Sequence, residues 1–261
     1  MLIDVHCHLT GNEYETIGDV EDVLRRASDA GVHTIICSAF DLESSYQSAR
    51  LCERFDNLYF CAGFHPGELH GYHEGDLDKL APLLRHEKCV AVGEIGLDYH
   101  FDDNPSKELQ KEIFVKQLHL AKQAGLPVVL HSRDAAQDTV EILEAYAHCL
   151  QKGGLLHCYS YSPEMVDRFL KLGLYFSFGG TATFKNAKKV WDSVQRIPAP
   201  RILTETDSPY LTPVPFRGVF PNEPKNVKHV IAKLADLREV DERTLEKQIY
   251  ENTKTLFFKM K

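Results

Sequence analysis

The chain alternates short apolar runs with longer segments in which apolar residues recur at helical spacing. Eight of the runs are rich in β-branched residues and have the length of strands: LIDVH, VHTIICSA, LYFCAGF, CVAVGEIG, PVVLHS, GLLHCY, LYFSFGG and RILTET. Near-continuous apolar strands are typical of a parallel sheet that is covered on both faces. The pattern therefore predicts eight buried, parallel strands.

The segments between these runs have the spacing of amphipathic helices. The clearest cover residues 20–30, 42–55, 107–124, 135–150 and 164–172, and the tail from Asp241 onward is also predicted to be helical. Several end at glycine, in SDAGV, KQAGLP and KLGLY, as helices commonly do. Eight strand–helix units fit a (β/α)8 TIM barrel, an α/β fold of about 250 residues, better than an open sheet of two lobes. We predict a single domain of this class over residues 1–261.

The composition bears on whether the protein binds nucleic acid and on the cellular compartment it occupies. The 261 residues are 26% charged with a formal net charge of −8, which argues against a protein that coats nucleic acid by charge alone. A nucleic-acid enzyme is not excluded, because bound divalent metals can neutralise phosphates in a cleft. The seven cysteines are scattered and include no C-x-x-C pair, which fits a reducing compartment. Without a leader pattern or a membrane-length apolar run, we predict a cytoplasmic protein with no membrane partner.

Imidazole and carboxylate side chains fall at the predicted C-terminal ends of five strands. In chain order they are His6, His8, Glu94, His131, His157, Glu205 and Asp207. A lone histidine at such a position is more often an ordinary half-buried residue than a ligand. In the predicted fold, however, all strand C-termini converge on one face, where active sites are built. Residues distant in sequence are therefore expected to meet there.

These residue types indicate a divalent metal centre. Imidazole and carboxylate suit zinc, manganese, iron and nickel, whereas oxygen-rich positions suit magnesium or manganese. Glu94 is the candidate to bridge two cations, and Asp207 is also placed to act as general base for an attacking water. Glu205 lies deeper on its strand, as an additional ligand or a support for the ligands. The predicted subsites are His6, His8 and Asp207 for one cation, and His131 and His157 for the other.

Seven motifs occur in order along the chain, and the likeness that they carry runs from residue 3 to NTKTLFF near the C-terminus. They are DVHCHL, GFHPG, VGEIGLDYH, LPVVLHSRDA, HCYS, GGT and ILTETDSPYL, and together they resemble the TatD-type metal-dependent deoxyribonucleases, which belong to the amidohydrolase-like barrels. The resemblance implies a TIM barrel, two or three divalent cations (Mg, Mn or Zn), a DNA substrate and a monomer without an obligate protein partner. It also implies the metal ligands His6, His8, Glu94, His131, His157 and Asp207, with Glu94 standing where many amidohydrolases have a modified lysine.

Three further residues are candidates for substrate binding, beside Glu205. His65 in GFHPG either donates to a phosphate oxygen or caps the turn that HPG predicts. Arg133 either grips a phosphate or forms an ion pair with Asp134 or Glu94. Lys185, in the loop after FSFGGTATF, resembles a further phosphate contact.

The stretch TPVPFRGVFPNEP after the eighth strand contains four prolines and two phenylalanines. A role as a lid, or in stacking on substrate, would use an aromatic ring against a base. The favoured expectation is instead that Phe216 and Phe220 anchor the loop, because apolar loop residues usually pack.

Two classes of function fit these residues. The first is a metal-dependent deoxyribonuclease, exonucleolytic on single-stranded ends, in which a metal-activated water attacks phosphorus and Glu94 and Asp207 are the catalytic residues. The second is a hydrolase of small esters, lactones, amides or phosphoesters, because unrelated chemistries share this barrel. The motifs favour the nuclease, and the acidic net charge favours the small substrate.

Overall fold

The computed structural model describes residues 1–260, and each of its eight strands overlaps one of the eight apolar runs. The strands are β1 (Leu2–Cys7), β2 (Val32–Ser38), β3 (Leu58–Ala62), β4 (Cys89–Asp98), β5 (Val128–Arg133), β6 (Gly154–Leu156), β7 (Tyr175–Phe178) and β8 (Ile202–Thr204). They form one sheet whose hydrogen-bonded neighbours follow the chain order from β1 to β8. This strand order, with parallel pairing and intervening helices, confirms the predicted (β/α)8 class.

Helices separate the strands and follow the last of them. Within residues 1–260 they are α1 (Val20–Asp29), α2 (Leu42–Arg54), α3 (Asp76–Leu84), α4 (Lys107–Ala124), α5 (Ala136–Ala145), α6 (Pro163–Lys171), α7 (Lys188–Arg196), α8 (Val227–Arg238) and α9 (Glu242–Leu256). Polar side chains begin several of them: Asp19 accepts a bond from the Asp22 amide at α1, and Asp41 from the Ser44 amide at α2. Gly125, in the left-handed conformation at φ +65°, ends α4.

The region 135–150 departs from the single helix that was predicted. Helix α5 ends at Ala145, and a separate 3-10 turn covers Ala147–Cys149. The Cys149 amide donates to the Tyr146 carbonyl at 2.8 Å, so three-residue hydrogen bonding replaces the α-helical pattern there. Helix α3, which the pattern did not single out, contains Pro82 within its span.

Contacts along the chain define two compact units. Unit 1 comprises Met1–Cys37, Cys158–Val166 and Phe176–Thr255. Within it β1 and β8 meet, because the Thr204 hydroxyl donates to the Ile3 carbonyl at 3.3 Å. The pairing continues past both strands: the Asp207 amide donates to the His6 carbonyl at 3.0 Å, and the His8 amide to the Ser208 carbonyl at 2.7 Å. These bonds fix the H-x-H segment beside Asp207.

Unit 2 comprises Ser38–His157, Asp167–Tyr175 and the chain from Leu256 on. All residues of β4 are buried, and Gly96 pairs in register with His131 of β5. Gly96 has φ +141°, and a β-carbon there would lie 2.0 Å from the His131 carbonyl oxygen. Only glycine allows the two strands to approach this closely at the level of the histidine.

No helix of residues 1–260 has both the length and the hydropathy to cross a bilayer. None of the seven cysteines, all within residues 1–260, is in a disulfide.

Replacing Gly96 with alanine should destabilise the protein by at least about 2 kcal/mol, because the new β-carbon both clashes with the His131 carbonyl and strains the backbone. Urea denaturation would measure this loss. Gly71→Ala is the matched control, since a β-carbon there meets nothing within 4 Å, and it should change stability by no more than about 0.5 kcal/mol. Equal stability of the two variants would contradict the close approach.

Candidate metal centre

The ends of β1 and β8 bring His6, His8 and Asp207 together in unit 1. The Nε2 atoms of His6 and His8 lie 3.7 and 3.4 Å from the same carboxylate oxygen of Asp207. The two imidazole rings are edge to face, with centroids 5.0 Å apart. Asp207 has φ +52°, a left-handed conformation that aspartate tolerates better than most residues. The predicted H-x-H and Asp207 subsite is therefore assembled within this unit.

A buried carboxylate that sequence reasoning missed, Asp4, supports this cluster. It accepts hydrogen bonds from the backbone amides of His6 at 3.3 Å and Thr206 at 2.9 Å, and from the Thr206 hydroxyl. Burial raises the pKa of Asp4 to about 8, although the bonds from Thr206 and His6 act against the rise. Asp4 thus ties the segment before His6 to the segment before Asp207. In the sequence, Asp4 could have been found from its position two residues before His6 on a strand, which places both side chains on the same face.

Glu205 is fully buried beneath the same cluster, as predicted. It accepts a short hydrogen bond from the Ser177 hydroxyl on β7. One of its carboxylate oxygens lies within 4.8 Å of a ring nitrogen of His6. It therefore fits the role of an additional ligand or a support, rather than a contact with substrate.

In unit 2 the buried carboxylate of Glu94 is shared by two histidines. Its Oε1 atom lies 2.8 Å from His131 Nδ1 and 2.8 Å from His157 Nε2, and those two nitrogens are 3.2 Å apart. His131 is carried by β5, and His157 follows β6, where its amide donates to the Leu130 carbonyl. The predicted ligands of the second cation, His131 and His157, thus also come together, with the carboxylate of Glu94 between them.

These separations fit the coordination of a common cation. Ligand atoms about 2.0–2.2 Å from a metal lie roughly 3 Å apart when they occupy adjacent coordination positions. The distances of 2.8, 2.8 and 3.2 Å among Glu94, His131 and His157 match that value. The two contacts of Asp207, at 3.4 and 3.7 Å, are slightly wider. Both donor sets combine imidazole with carboxylate, which suits divalent metals.

Asp98, a second residue that sequence reasoning missed, orients His131 from the far side of its ring. Asp98 Oδ2 lies 3.0 Å from His131 Nε2, which leaves Nδ1 directed at Glu94 and His157. A carboxylate behind an imidazole is the usual way to fix the tautomer of a metal-binding histidine. The available signal was the position of Asp98 at the end of the VGEIGLD strand.

The charges of this group are coupled. Burial acts to lower the pKa of His131, but its bonds to Asp98 and Glu94 outweigh burial, and the pKa lies above the ordinary value. Burial acts to raise the pKa of Asp98, yet the hydrogen bonds from His131 and from the His100 amide hold that pKa below its usual range. The carboxylates therefore favour a positive charge between them, which a proton or a cation supplies.

His65 forms the turn cap that the sequence analysis gave as one alternative, and its contact with phosphate stays a prediction. Its Nδ1 accepts a hydrogen bond from the Gly67 amide at 3.0 Å and caps the turn that follows. Its Nε2 faces the candidate metal ligands, 3.7 Å from Glu94 Oε1, and its ring centroid lies 4.4 Å from that of His131. The capping bond fixes the imidazole while the other nitrogen stays directed into the site.

The two cationic candidates lie outside the clusters. The guanidinium of Arg133 is exposed and lies over the ring of Phe101, 5.0 Å from its centroid. Its proposed ion-pair partner Asp134 instead contacts His100 Nδ1 at 2.7 Å. Lys185 is exposed between the 3-10 turn Gly180–Thr183 and α7. Contacts of these two residues with substrate stay a prediction.

With this geometry, comparison with known proteins identifies the family. The model of a family described as TatD related DNase matches residues 3–258. The chain belongs to the TatD family. YabD of Bacillus subtilis (strain 168), an uncharacterized metal-dependent hydrolase, is 43% identical over 258 residues, which are 98% of this chain and 99% of YabD. YcfH of Escherichia coli (strain K12), described in the same words, is 38% identical over 259 residues, 98% of this chain and 95% of YcfH.

A solved structure extends the likeness to the TatD fold. The crystal structure of YjjV, a TatD homologue from Escherichia coli K12, has a TM-score of 0.92 to this chain at 37% identity and covers 98% of both chains. The predicted family resemblance and fold class are confirmed. This TatD-family chain is a metal-dependent hydrolase, and its clustered histidines and carboxylates suit divalent cations.

Replacing Asp98 with asparagine should weaken metal binding by about 10–100-fold, because the amide no longer holds the tautomer of His131 or raises its basicity. Competition with a chromogenic chelator would measure the affinity of each variant. Asp134→Asn is the matched control, because the exposed carboxylate of Asp134 contacts the ring of His100, which is not a candidate ligand. This variant should bind metal as the wild type does. Equal losses in both variants would rule out the orienting role.

Proposed function

We propose that this TatD-family chain is a deoxyribonuclease that hydrolyses phosphodiester bonds at the ends of single-stranded DNA. The two clusters of histidine and carboxylate ligands suit cations that lower the pKa of a water and offset charge on a phosphate. That chemistry alone does not separate a nuclease from a hydrolase of small esters. The observation that carries the proposal is a row of exposed aromatic rings that begins at a candidate metal ligand.

The aromatic loop, residues 209–221, follows Asp207 and Ser208 directly. Within residues 1–260, six of the eleven exposed large hydrophobic side chains lie between positions 210 and 220 of this loop. The ring of Tyr210 packs edge-on 6.3 Å from His8, and the ring of Phe220 lies 6.4 Å from Tyr210. Tyr210 is 48% and Phe220 59% exposed. Such surfaces mark binding sites, and aromatic faces accept any nucleic-acid base.

The loop is held in place although its rings are exposed. The buried side-chain amide of Asn222 donates to the carbonyls of Thr206 at 3.1 Å and Tyr210 at 2.8 Å. The Thr212 hydroxyl donates to the Val219 carbonyl at 2.6 Å, across the turn of the loop. Rings on a fixed backbone lose little entropy when a base stacks on them.

The expectation that Phe216 and Phe220 anchor the loop is wrong. Phe216 is 45% exposed and keeps one edge contact with His229, at 5.4 Å between centroids. The anchor is polar instead, because Asn222 and Thr212 satisfy backbone carbonyls that the loop leaves without strand partners. The phenylalanines are thereby free to face solvent.

We assign roles to the surrounding residues accordingly. Asp207, whose side chain is 14% exposed, accepts a proton from the attacking water as the water oxygen bonds to phosphorus. The bond from phosphorus to the leaving nucleotide breaks, and its oxygen takes a proton from solvent. His65, Arg133 and Lys185 donate to phosphate oxygens, which matches their partial or full exposure. Glu94 holds His131 and His157 in position.

An end-labelled single-stranded oligonucleotide incubated with Mg²⁺, Mn²⁺ or Zn²⁺ should give a ladder of shortened products that a chelator abolishes. Glu94→Gln should reduce the rate by about 100-fold or more, because it removes a charge from the centre of a ligand set. Glu108→Gln, at an exposed position in the first turn of α4, is the matched control and should leave the rate unchanged. No cleavage by a cation-loaded protein that hydrolyses a small ester or lactone would overturn the nuclease in favour of the alternative.

Removing the Phe220 ring with Phe220→Ala should raise KM for the oligonucleotide by roughly 5- to 150-fold, the value of one base–aromatic stack. An abasic strand of the same length offers no base to stack, so the variant and the wild type should cleave it equally. Phe258→Ala, a similarly exposed phenylalanine in unit 2, is the control and should behave as wild type on both strands. A loss for Phe220→Ala that is equal on both strands would exclude stacking.

A further inference from the structure

A second group of metal-ligating side chains lies in unit 2, away from the strand ends that carry the metal centre. His119 is in the last two turns of α4, and His148 and Cys149 are in the 3-10 turn Ala147–Cys149. These elements lead into the beginnings of β5 and β6, whereas His131 and His157 lie at the opposite ends of those strands. Neither the proposed hydrolysis nor the family motifs use this group.

The separations among the three ligand atoms are compatible with a tetrahedral metal site. Each offers one ligand atom, and the three atoms all lie within 4.8 Å of one another. Cys149 Sγ is 3.6 Å from His119 Nδ1. With zinc–sulfur and zinc–nitrogen bonds of about 2.3 and 2.0–2.1 Å at a tetrahedral angle, sulfur and nitrogen are separated by roughly 3.5 Å. The distance therefore corresponds to one edge of a zinc tetrahedron.

The surrounding residues hold the ligands in this arrangement. The ring of Tyr146 packs edge-on against His119, with centroids 5.5 Å apart, and is tilted against His148 at 6.1 Å. The two imidazoles are themselves 5.9 Å apart. Cys149 is only 2% exposed, whereas both histidines are accessible to solvent. The buried thiol is the innermost ligand of the group, and a cation can reach it from the solvent side.

We propose that His119, His148 and Cys149 bind a thiophilic divalent cation of the zinc type, with water in the fourth position. One thiolate and two imidazoles suit zinc and its spectroscopic substitute cobalt better than the oxygen-seeking magnesium. On binding, Cys149 releases its thiol proton to solvent. The bound cation joins α4 to the connection between α5 and β6, and so stabilises this part of unit 2.

Titration with Co²⁺ tests the proposal without any assay of hydrolysis. Saturating Co²⁺ should produce a thiolate-to-cobalt charge-transfer band, which the candidate ligands of the metal centre cannot give because they are histidines and carboxylates. Cys149→Ser should abolish the band, whereas Cys158→Ser, at the half-buried cysteine beside His157, should retain it. Zn²⁺ should displace the cobalt and bleach the band.

The partly exposed imidazoles provide variants that do not disturb the buried thiol. His148→Asn should weaken cobalt binding at this site by roughly 10-fold or more, because even outer partners of a metal site are worth about 10–100-fold in affinity. A wild-type protein without the band at saturating Co²⁺ would show that the 3.6 Å contact is only a hydrogen bond from the thiol to the imidazole. A band that survives Cys149→Ser would overturn the assignment of the ligand. Either result leaves the proposed nuclease untouched, since no readout here depends on it.

Discussion

A carboxylate without access to water must be matched by hydrogen-bond donors or by a cation, and this constraint shapes the functional residues of the chain. Four carboxyl groups next to the candidate ligands are buried: Asp4, Glu94, Asp98 and Glu205. Each meets the constraint differently. Asp4 accepts hydrogen bonds from backbone amides, and its raised pKa favours the uncharged form. Glu205 accepts a hydrogen bond from the Ser177 hydroxyl. Asp98 and Glu94 share His131, so a positive charge is favoured between them. The result is a set of strand ends whose acidic groups are fixed before any cation binds.

Much of this arrangement could be predicted from the sequence, because the strand pattern assigns each reactive residue to a strand end. His6, His8 and Asp207 come together within one unit, and Glu94, His131 and His157 within the other, as the pattern required. The supporting residues could not be predicted in the same way. Asp98 acts on His131 through the register of β4 against β5, and single-sequence patterns do not carry register.

The errors also have physical causes. The helix predicted over residues 135–150 stops at Ala145 because a 3-10 turn competes with it, and apolar periodicity does not distinguish the two. The loop phenylalanines were expected to be buried because most apolar residues pack. Hydrogen bonds from the side chain of Asn222 hold the loop without that burial. Nothing in the sequence around Asn222 indicates that its side chain anchors the loop. Likewise, His119 and Cys149 are far apart in the chain, and only the fold brings their ligand atoms together.

The exposed rings of the aromatic loop also affect how the molecule behaves in concentrated solution. Exposed apolar rings such as those of Tyr210 and Phe220 favour contact with apolar groups of other molecules. The formal net charge of −8 opposes that approach, because like-charged proteins repel at distances comparable with the Debye length. Resistance to aggregation therefore falls as ionic strength rises. It depends on acidic residues outside the candidate metal centre. The surplus of carboxylates, which argued against binding nucleic acid by charge, thus opposes association of the exposed rings between copies.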